Sequence, residues 1–332
     1  MKYNNSIKKI NYNFQLLRLI LCFWVVIQHC YKYSNKLRKG LFHVPIFMIM
    51  SFYFSYNIIK TKDTIKIKQR FQRILIPYIF WPIFVFILNN ILFKFEFSLY
   101  NKKLLLNDLV KQIIFGRSYH NFYYLFILMV LTLFFIIISF LFNKSMILIF
   151  HLLLIIAYIF QYSYWNLFIF KEYSRVIKLS LGIIAELLPF AVMGITLRNL
   201  DINTKLIKLK RLTIFYIGVI IFLILKFEIF VRIRGFYYPG ILLNIGGTCI
   251  FILFSLFSFQ NKKLIFILKI ITKFTGGIFY IHLTCFILLQ KKIFFIKNMT
   301  FHGSIVIYII CYIICHLGNK LTYKTKFKFL FN

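Results

Sequence analysis

The chain has 332 residues, of which 61% are hydrophobic and 21% aromatic, and its formal net charge is +35. Soluble domains are about 45–50% apolar, so this composition excludes an ordinary soluble globular protein and indicates an integral membrane protein. The lysines fall between apolar runs and form no separate basic domain, which argues against nucleic-acid binding and favours membrane spans flanked by headgroup-binding lysines.

Ten apolar runs predict membrane-spanning helices, because a span needs about 20 mostly apolar residues. They lie near 14–31, 41–59, 74–94, 122–142, 146–164, 179–197, 212–231, 237–259, 275–295 and 303–318. Strand-like alternation is absent from these runs, so we predict an all-α integral membrane protein with about ten transmembrane helices in one bundle. The connectors are short, and residues 1–332 are therefore predicted to form a single membrane domain.

The basic residues of the connectors predict how the chain is oriented. With the N-terminus in the cytoplasm, the inner connectors hold more Lys and Arg than the outer ones. The densest basic connector, KTKDTIKIKQRFQR at 60–73, then also lies inside. Because positively charged loops favour the cytoplasmic side, we predict a multi-pass protein of the cytoplasmic (inner) membrane with both termini in the cytoplasm.

The first predicted span, LLRLILCFWVVIQHCY, carries two side chains that are costly in a bilayer, Arg18 and His29. Eleven residues turn a helix by about 1100°, about 20° past three full turns, so both side chains face one side at depths about 16 Å apart. One helix wall would then present a fixed cation and a titratable base. The alternative is snorkelling by Arg18 and a structural hydrogen bond from His29.

Further polar residues are predicted at the same two levels. His43 and His120 open the second and fourth spans, near the level of His29. On the cytoplasmic side Arg70 and Arg73 are three residues apart, which makes them neighbours if their segment is helical. Paired guanidinium groups suit phosphate binding, whereas the alternative is an ordinary cytoplasmic cluster of positive charge.

The order of these motifs resembles the acyltransferase 3 family of membrane proteins. The similarity is collinear over about residues 10–290 and covers most of the chain. The motifs are Arg18-x10-His29, then VPIFMIMSFYF, then Arg70-x2-Arg73 followed by ILIPY, then HNFYYL at 120–125, PFAVMGITL at 189–197 and TGGIFYIHL at 275–283.

The resemblance implies a role for each matched position. His29 is the expected catalytic base and Arg18 an arginine needed for activity, while Arg70 and Arg73 are expected to bind the acyl-CoA donor. The positions that complete the predicted site, in supporting or donor-binding roles, are His282, His43, His120, Gln15 and Arg198.

The resemblance also implies the substrates. We expect O-acyl transfer, with acetyl as the default group, from cytoplasmic acyl-CoA to a hydroxyl of a cell-surface or lipid-linked polysaccharide. No metal and no permanently bound cofactor is expected, and the partners are acyl-CoA, the sugar acceptor and the lipid bilayer. Two routes remain open, in which His29 either takes the proton of the acceptor hydroxyl or carries the acyl group itself.

Two positions depart from the family pattern. Gln15 stands where members often have a carboxylate, three residues before Arg18, and it cannot neutralise the arginine. Phe52 follows Ser51 where a glycine is usual, and its ring is predicted to narrow a close approach between helices. An inactive member or one with altered specificity is the corresponding alternative.

A protein of another class would also carry many spans and intramembrane charges. The main alternative is a non-enzymatic transporter or flippase of a lipid-linked glycan. Such a protein has no need of the Arg70 and Arg73 pair together with an outward cluster of histidines. Nor does the sequence show the inverted repeat that many transporters have.

Overall fold

The computed structural model describes residues 12–30, 43–93, 105–116, 122–142, 146–166, 175–200, 213–214, 216–221, 223, 240–256, 261–289 and 301–331. The helices are α1 (Tyr12–Cys30), α2 (His43–Thr61), α3 (Thr64–Phe93), α4 (Leu106–Ile114), α5 (Tyr123–Leu141), α6 (Met146–Asn166), α7 (Arg175–Asn199), α8 (Gly240–Leu256), α9 (Lys262–Ile271), α10 (Thr275–Leu289) and α11 (Phe301–Thr322). Short 3-10 helices follow α9 at Thr272–Phe274 and α11 at Lys326–Leu330. Within these described ranges there is no strand, which agrees with the predicted all-α fold.

Six helical stretches are long and apolar enough to cross a membrane. They are Tyr12–Cys30, Thr64–Leu92, Tyr123–Leu141, Gly182–Asn199, Lys262–Leu289 and Phe301–Thr322. The predicted second span forms α2, which has 19 residues. It includes His43, Asn57 and Lys60 and is not one of the six stretches. The predicted seventh span, 212–231, lies largely outside the described residues, so the count of ten spans remains a prediction. The predicted site residue His120 also lies outside them.

The outer surface of the bundle is apolar, as a lipid environment requires. On α3 the residues Ile79, Ile83, Ile87 and Ile91 recur every fourth position and are 37–51% exposed. Several polar groups are instead buried between helices, where hydrogen bonds connect neighbouring helices. Ser139 of α5, for example, donates a hydrogen bond of 2.9 Å to the carbonyl of Ile59 in α2.

The basic connector predicted at 60–73 is largely helical. Lys62, with φ 54°, reverses the chain after α2. Asp63 then accepts a hydrogen bond from the backbone N–H of Lys66 and pairs with its ammonium group at 2.6 Å. These bonds lower the pKa of Asp63 and stabilise the start of α3. As a result α3 begins ten residues before the predicted third span and carries Arg70 and Arg73 on its surface.

The helices that hold the site are in close contact. α2 packs along α7, and α1 packs against both α10 and α11. At Gly194 the backbone of α7 comes so near to that of α2 that a Cβ atom would collide with the carbonyl oxygen of Ile49. The thiol of Cys22 donates to the carbonyl of Thr275 at 3.3 Å, which fixes α1 beside the start of α10.

Candidate active site

A cavity of about 1190 Å³ lies at the end of the bundle where α1 begins and where α2 and α7 end. This volume exceeds the roughly 300–1,000 Å³ of typical small-ligand pockets. Helices that are distant in sequence contribute to its wall: α1, α2, α3, α5, α7, α10 and α11, together with the segment after α11. The cavity therefore depends on the assembled bundle and not on one local motif.

Four cations line this cavity, and no carboxylate does. They are Arg18, Arg73, Arg198 and Lys273. Within the ranges that the structure describes, none of the four forms an ion pair. Cations grouped in one cavity repel each other, and their positive potential favours an anionic ligand over a neutral or cationic one.

Arg198 is held by the tyrosines of α2. Its guanidinium donates a hydrogen bond of 3.3 Å to the hydroxyl of Tyr53 and lies 5.3 Å from the centre of that ring. The neighbouring Asn199 accepts a hydrogen bond from the hydroxyl of Tyr56. These contacts fix the end of α7 against α2 and keep the Arg198 charge at the cavity wall.

Arg73 is fixed by the segment that follows α11. Its guanidinium lies 5.6 Å from the ring centre of Phe329, which also lines the cavity. Leu330 is 2% exposed, and the ring of Phe331 packs edge-on against Trp81 at 6.0 Å. The segment therefore packs into the bundle and forms part of the cavity wall.

Arg70, the predicted partner of Arg73, does not line the cavity. Its guanidinium donates to the hydroxyls of Ser51, at 3.1 Å, and Thr132, at 3.3 Å. It also lies 5.5 Å from the ring centre of Phe52. Three residues turn a helix by about 300°, so the two arginines point about 60° apart, and only one of them reaches the cavity.

The two departures from the family pattern have distinct structural outcomes. Gln15 lines the cavity beside Arg18, so the positive charge of that arginine is not neutralised there. Phe52 is fully buried and packs edge-on against Phe135 at 5.0 Å, beneath Arg70. The close approach of α2 is to Gly194 on α7, so Phe52 does not obstruct it.

Three of the predicted histidines come together near the end of α1 and the start of α2, away from the cavity. The rings of His29 and His282 are 5.3 Å apart, and both imidazoles lie near enough to His43 to interact with it electrostatically. The Nδ1 of His282 lies 2.9 Å from the carbonyl oxygen of Phe279. A carbonyl only accepts, so Nδ1–H is the donor and Nε2 carries the lone pair. His282 is fully buried, whereas His29 is partly exposed.

Arg18 and His29 lie on the same side of α1, as the helical spacing predicts, but they belong to different parts of the site. Arg18 lines the cavity, whereas His29, His43 and His282 do not. The position of α1 beside α10 explains this arrangement, since Cys22, one turn after Arg18, donates to Thr275 while His29 meets His282. α1 and α10 therefore run in the same direction.

Three aromatic rings pack together at the cavity wall, and one of them also contacts a histidine. Phe279 contacts Phe47 at 6.0 Å and Tyr124 at 5.9 Å, and all three residues line the cavity. Phe279 also lies 6.2 Å from the ring of His282. We call Phe47, Tyr124 and Phe279 the aromatic partition, because this cluster lines the basic cavity and, through Phe279, contacts the histidine pair.

The model of the acyltransferase 3 family, described as an acyltransferase domain, matches residues 11–319. The chain belongs to this family. Neither the curated proteins nor the solved structures contain a match to it. The match covers nearly all of the sequence of this membrane acyltransferase, including every helix that contributes a side chain to the cavity. The segment 323–331 lies beyond the match.

Several residues of the candidate site were not predicted individually. Lys273 lies in the 3-10 turn before α10, and Asn319, Tyr323 and Phe329 come from the end of α11 and beyond. The motif TGGIFYIHL contains Phe279, but only its histidine was singled out. Among the described residues, no group of three His, Cys, Asp or Glu side chains is arranged to hold a metal ion.

Proposed function

We propose that this acyltransferase moves an acyl group, by default acetyl, from acyl-CoA to a hydroxyl of a cell-surface or lipid-linked polysaccharide. The basic cavity carries the proposal, because four cations without a carboxylate partner suit the phosphates of CoA. Its volume of about 1190 Å³ suits a nucleotide-sized donor. The cavity lies at the predicted cytoplasmic end of the bundle, the side on which acyl-CoA is found.

The proposed reaction forms one bond and breaks one. The acceptor oxygen attacks the thioester carbonyl, a C–O bond forms, the C–S bond breaks and CoA leaves as the thiolate. The hydroxyl proton passes to the imidazole of His29 and from there to the thiolate, so charge and atoms balance. Alternatively, the imidazole first takes the acyl group and then yields it to the hydroxyl.

In this scheme His29 works together with His282. The hydrogen bond from Nδ1 of His282 to the carbonyl of Phe279 fixes the ring and leaves Nε2 as its basic nitrogen. The ring separation of 5.3 Å suits mutual orientation of the two imidazoles. The partial exposure of His29 supports its role as the group that meets the acceptor, on the side of the aromatic partition away from the cavity.

The test uses purified protein in lipid nanodiscs, radiolabelled acetyl-CoA and polysaccharide from the source cells. We expect wild-type protein to transfer label to polysaccharide, and mass spectrometry to show the mass of one acetyl group per modified sugar. His29→Ala should lower kcat by about 10²- to 10⁴-fold, because general-base catalysis contributes about that much. Its binding of CoA should be retained, because His29 does not line the cavity.

His151 provides a matched control for this variant. It is an exposed histidine on α6 that does not line the cavity, so His151→Ala should transfer acetyl groups at the wild-type rate. Full transfer by His29→Ala would rule out the assignment of the base. Movement of glycan across vesicles by wild-type protein, without any consumption of acyl-CoA, would instead favour a transporter.

A further inference from the structure

The end of α11 brings an unsatisfied amide to the basic cavity. Asn319 lines the cavity and is only 7% exposed. Its Oδ1 is shielded from solvent and has no hydrogen-bond partner among the residues that the structure describes. Buried polar groups in proteins are nearly always paired, so this unpaired amide at the cavity wall can gain a partner by turning its oxygen toward a hydrogen-bond donor on a bound ligand.

An aromatic ring lines the same cavity as this amide. Tyr323 follows Asn319 by four residues, lines the same cavity and is 69% exposed. The cations Arg73 and Lys273 line the cavity as well. One cavity thus holds three features: an amide whose oxygen lacks a hydrogen-bond donor, an accessible aromatic ring, and cations that suit phosphate.

We propose that Asn319 and Tyr323 form a nucleobase subsite that binds the adenine ring of acyl-CoA. The proposal rests on the proposed function, which supplies the donor. A side-chain amide offers one acceptor oxygen and two N–H donors, and this pattern matches the amino group of adenine and its adjacent ring nitrogen. The ring of Tyr323 stacks on the face of the base, a contact that tolerates any base.

The subsite extends beyond the part of the chain that defines the family. The family match ends at residue 319, so Tyr323 lies outside it. The chain reaches the cavity there because Leu330 and Phe331 anchor the segment after α11. A Cβ atom at either Gly277 or Gly318 would collide with Phe331, so both glycines make room for that anchor.

Two ligands that differ only in the base test the role of Asn319. Adenosine 3′,5′-bisphosphate and inosine 3′,5′-bisphosphate carry the same phosphates, but inosine replaces the adenine amino group with a carbonyl. We expect wild-type protein in nanodiscs to bind the adenosine compound about tenfold tighter, measured by displacement of radiolabelled CoA. Asn319→Ala should bind both compounds equally and bind pyrophosphate as wild type does.

Asn57→Ala is the matched control for that variant. Asn57 is another amide that lines the cavity, but it is exposed, and we expect its removal to leave the base preference intact. An unchanged preference in Asn319→Ala, or none in the wild-type protein, would overturn the role of Asn319. If Asn319→Ala is misfolded by tryptophan fluorescence, Asn319→Leu fills a similar volume and must show the same loss.

Tyr323 requires a pair of variants. Tyr323→Leu should weaken the adenosine and inosine compounds alike by about tenfold, whereas Tyr323→Phe keeps the ring and should bind both like the wild-type protein. Equal weakening by both variants would contradict stacking, because only the hydroxyl would then matter. Base-dependent nucleotide binding without any acyl transfer would refute the proposed function and leave the nucleobase subsite standing.

Discussion

Arg70 and Arg73 are three residues apart on α3, yet their side chains have different surroundings. Arg73 lines the cavity, so Arg73→Ala should raise the KM for acyl-CoA about tenfold, which corresponds to about 1.4 kcal/mol. Arg70 donates to Ser51 and Thr132 inside the bundle, so Arg70→Ala should instead lower the free energy of unfolding by about 1.5–3 kcal/mol. A CoA-release assay and thermal unfolding separate the two effects, and an equal rise in KM would contradict the difference.

The size of Phe279 should limit the length of the acyl chain. Phe279 lines the cavity and contacts His282, so we expect Phe279→Ala to extend the cavity toward that histidine and to give the acyl group more space. A butyryl group has two more methylenes than acetyl, each worth about 0.8 kcal/mol when buried. We therefore expect the ratio of kcat/KM for butyryl-CoA over acetyl-CoA to rise about tenfold.

Phe286 provides the control for the Phe279 variant. It is buried on the same helix but does not line the cavity, so Phe286→Ala should leave the ratio unchanged. A similar rise in both variants would show that looser packing of α10, and not the aromatic partition, governs the choice of donor. Loss of activity with both donors in Phe279→Ala would equally contradict a length limit, since that limit requires the butyryl donor to gain.

At the scale of the elements, the contact between α2 and α7 should be the most sensitive to added volume. Gly194→Ala would place a methyl group against the carbonyl of Ile49 and force the helices apart, at a cost of about 1–3 kcal/mol. Gly218→Ala is the control, because a Cβ there would meet nothing within 4 Å. Thermal unfolding in detergent should show a lower midpoint for Gly194→Ala alone, and equal midpoints would contradict the close approach.

The helices were predictable from the sequence to the extent that lipid imposes their pattern. The apolar runs at 14–31 and 122–142 became α1 and α5 within two residues at each end, because about 20 apolar residues have no other stable form in a bilayer. The start of α3 was not predictable in the same way. Residues 64–73 are polar and resemble a loop, but the Asp63 cap lets them continue as helix.

The site was predictable only in part, for a related reason. Helical periodicity predicts Arg18 and His29 on one side of α1, and both residues do lie within that one helix. It did not reveal that Arg70 turns away from Arg73, because that depends on Ser51 and Thr132 of other helices. Asn319, Tyr323 and Phe329 follow no local motif and reach the cavity only through the fold of the segment after α11.

At the scale of the molecule, the cavity cations and the histidine pair lie at different positions along the described part of the bundle. The cations Arg18, Arg73, Arg198 and Lys273 lie around the cavity at one end. The paired rings of His29 and His282 lie beyond the aromatic partition, about 16 Å further along α1 as measured from Arg18. The lipid-facing surface carries apolar side chains such as those of α3, so under the proposed function we expect donor and acceptor to enter at opposite ends.

This separation predicts that acyl-CoA is used from only one side of the membrane. In sealed vesicles that contain the protein in both orientations, a tag added after Asn332 lies on the cavity side, because Phe329 lines the cavity. Acyl-CoA is too polar to cross the bilayer, so when it is added outside we expect only molecules with a protease-accessible tag to release CoA. Detergent should then expose the remaining molecules and raise the rate in proportion to the protected tag. A rate that detergent leaves unchanged, with half of the tag protected, would show that the donor also reaches the site from the histidine end.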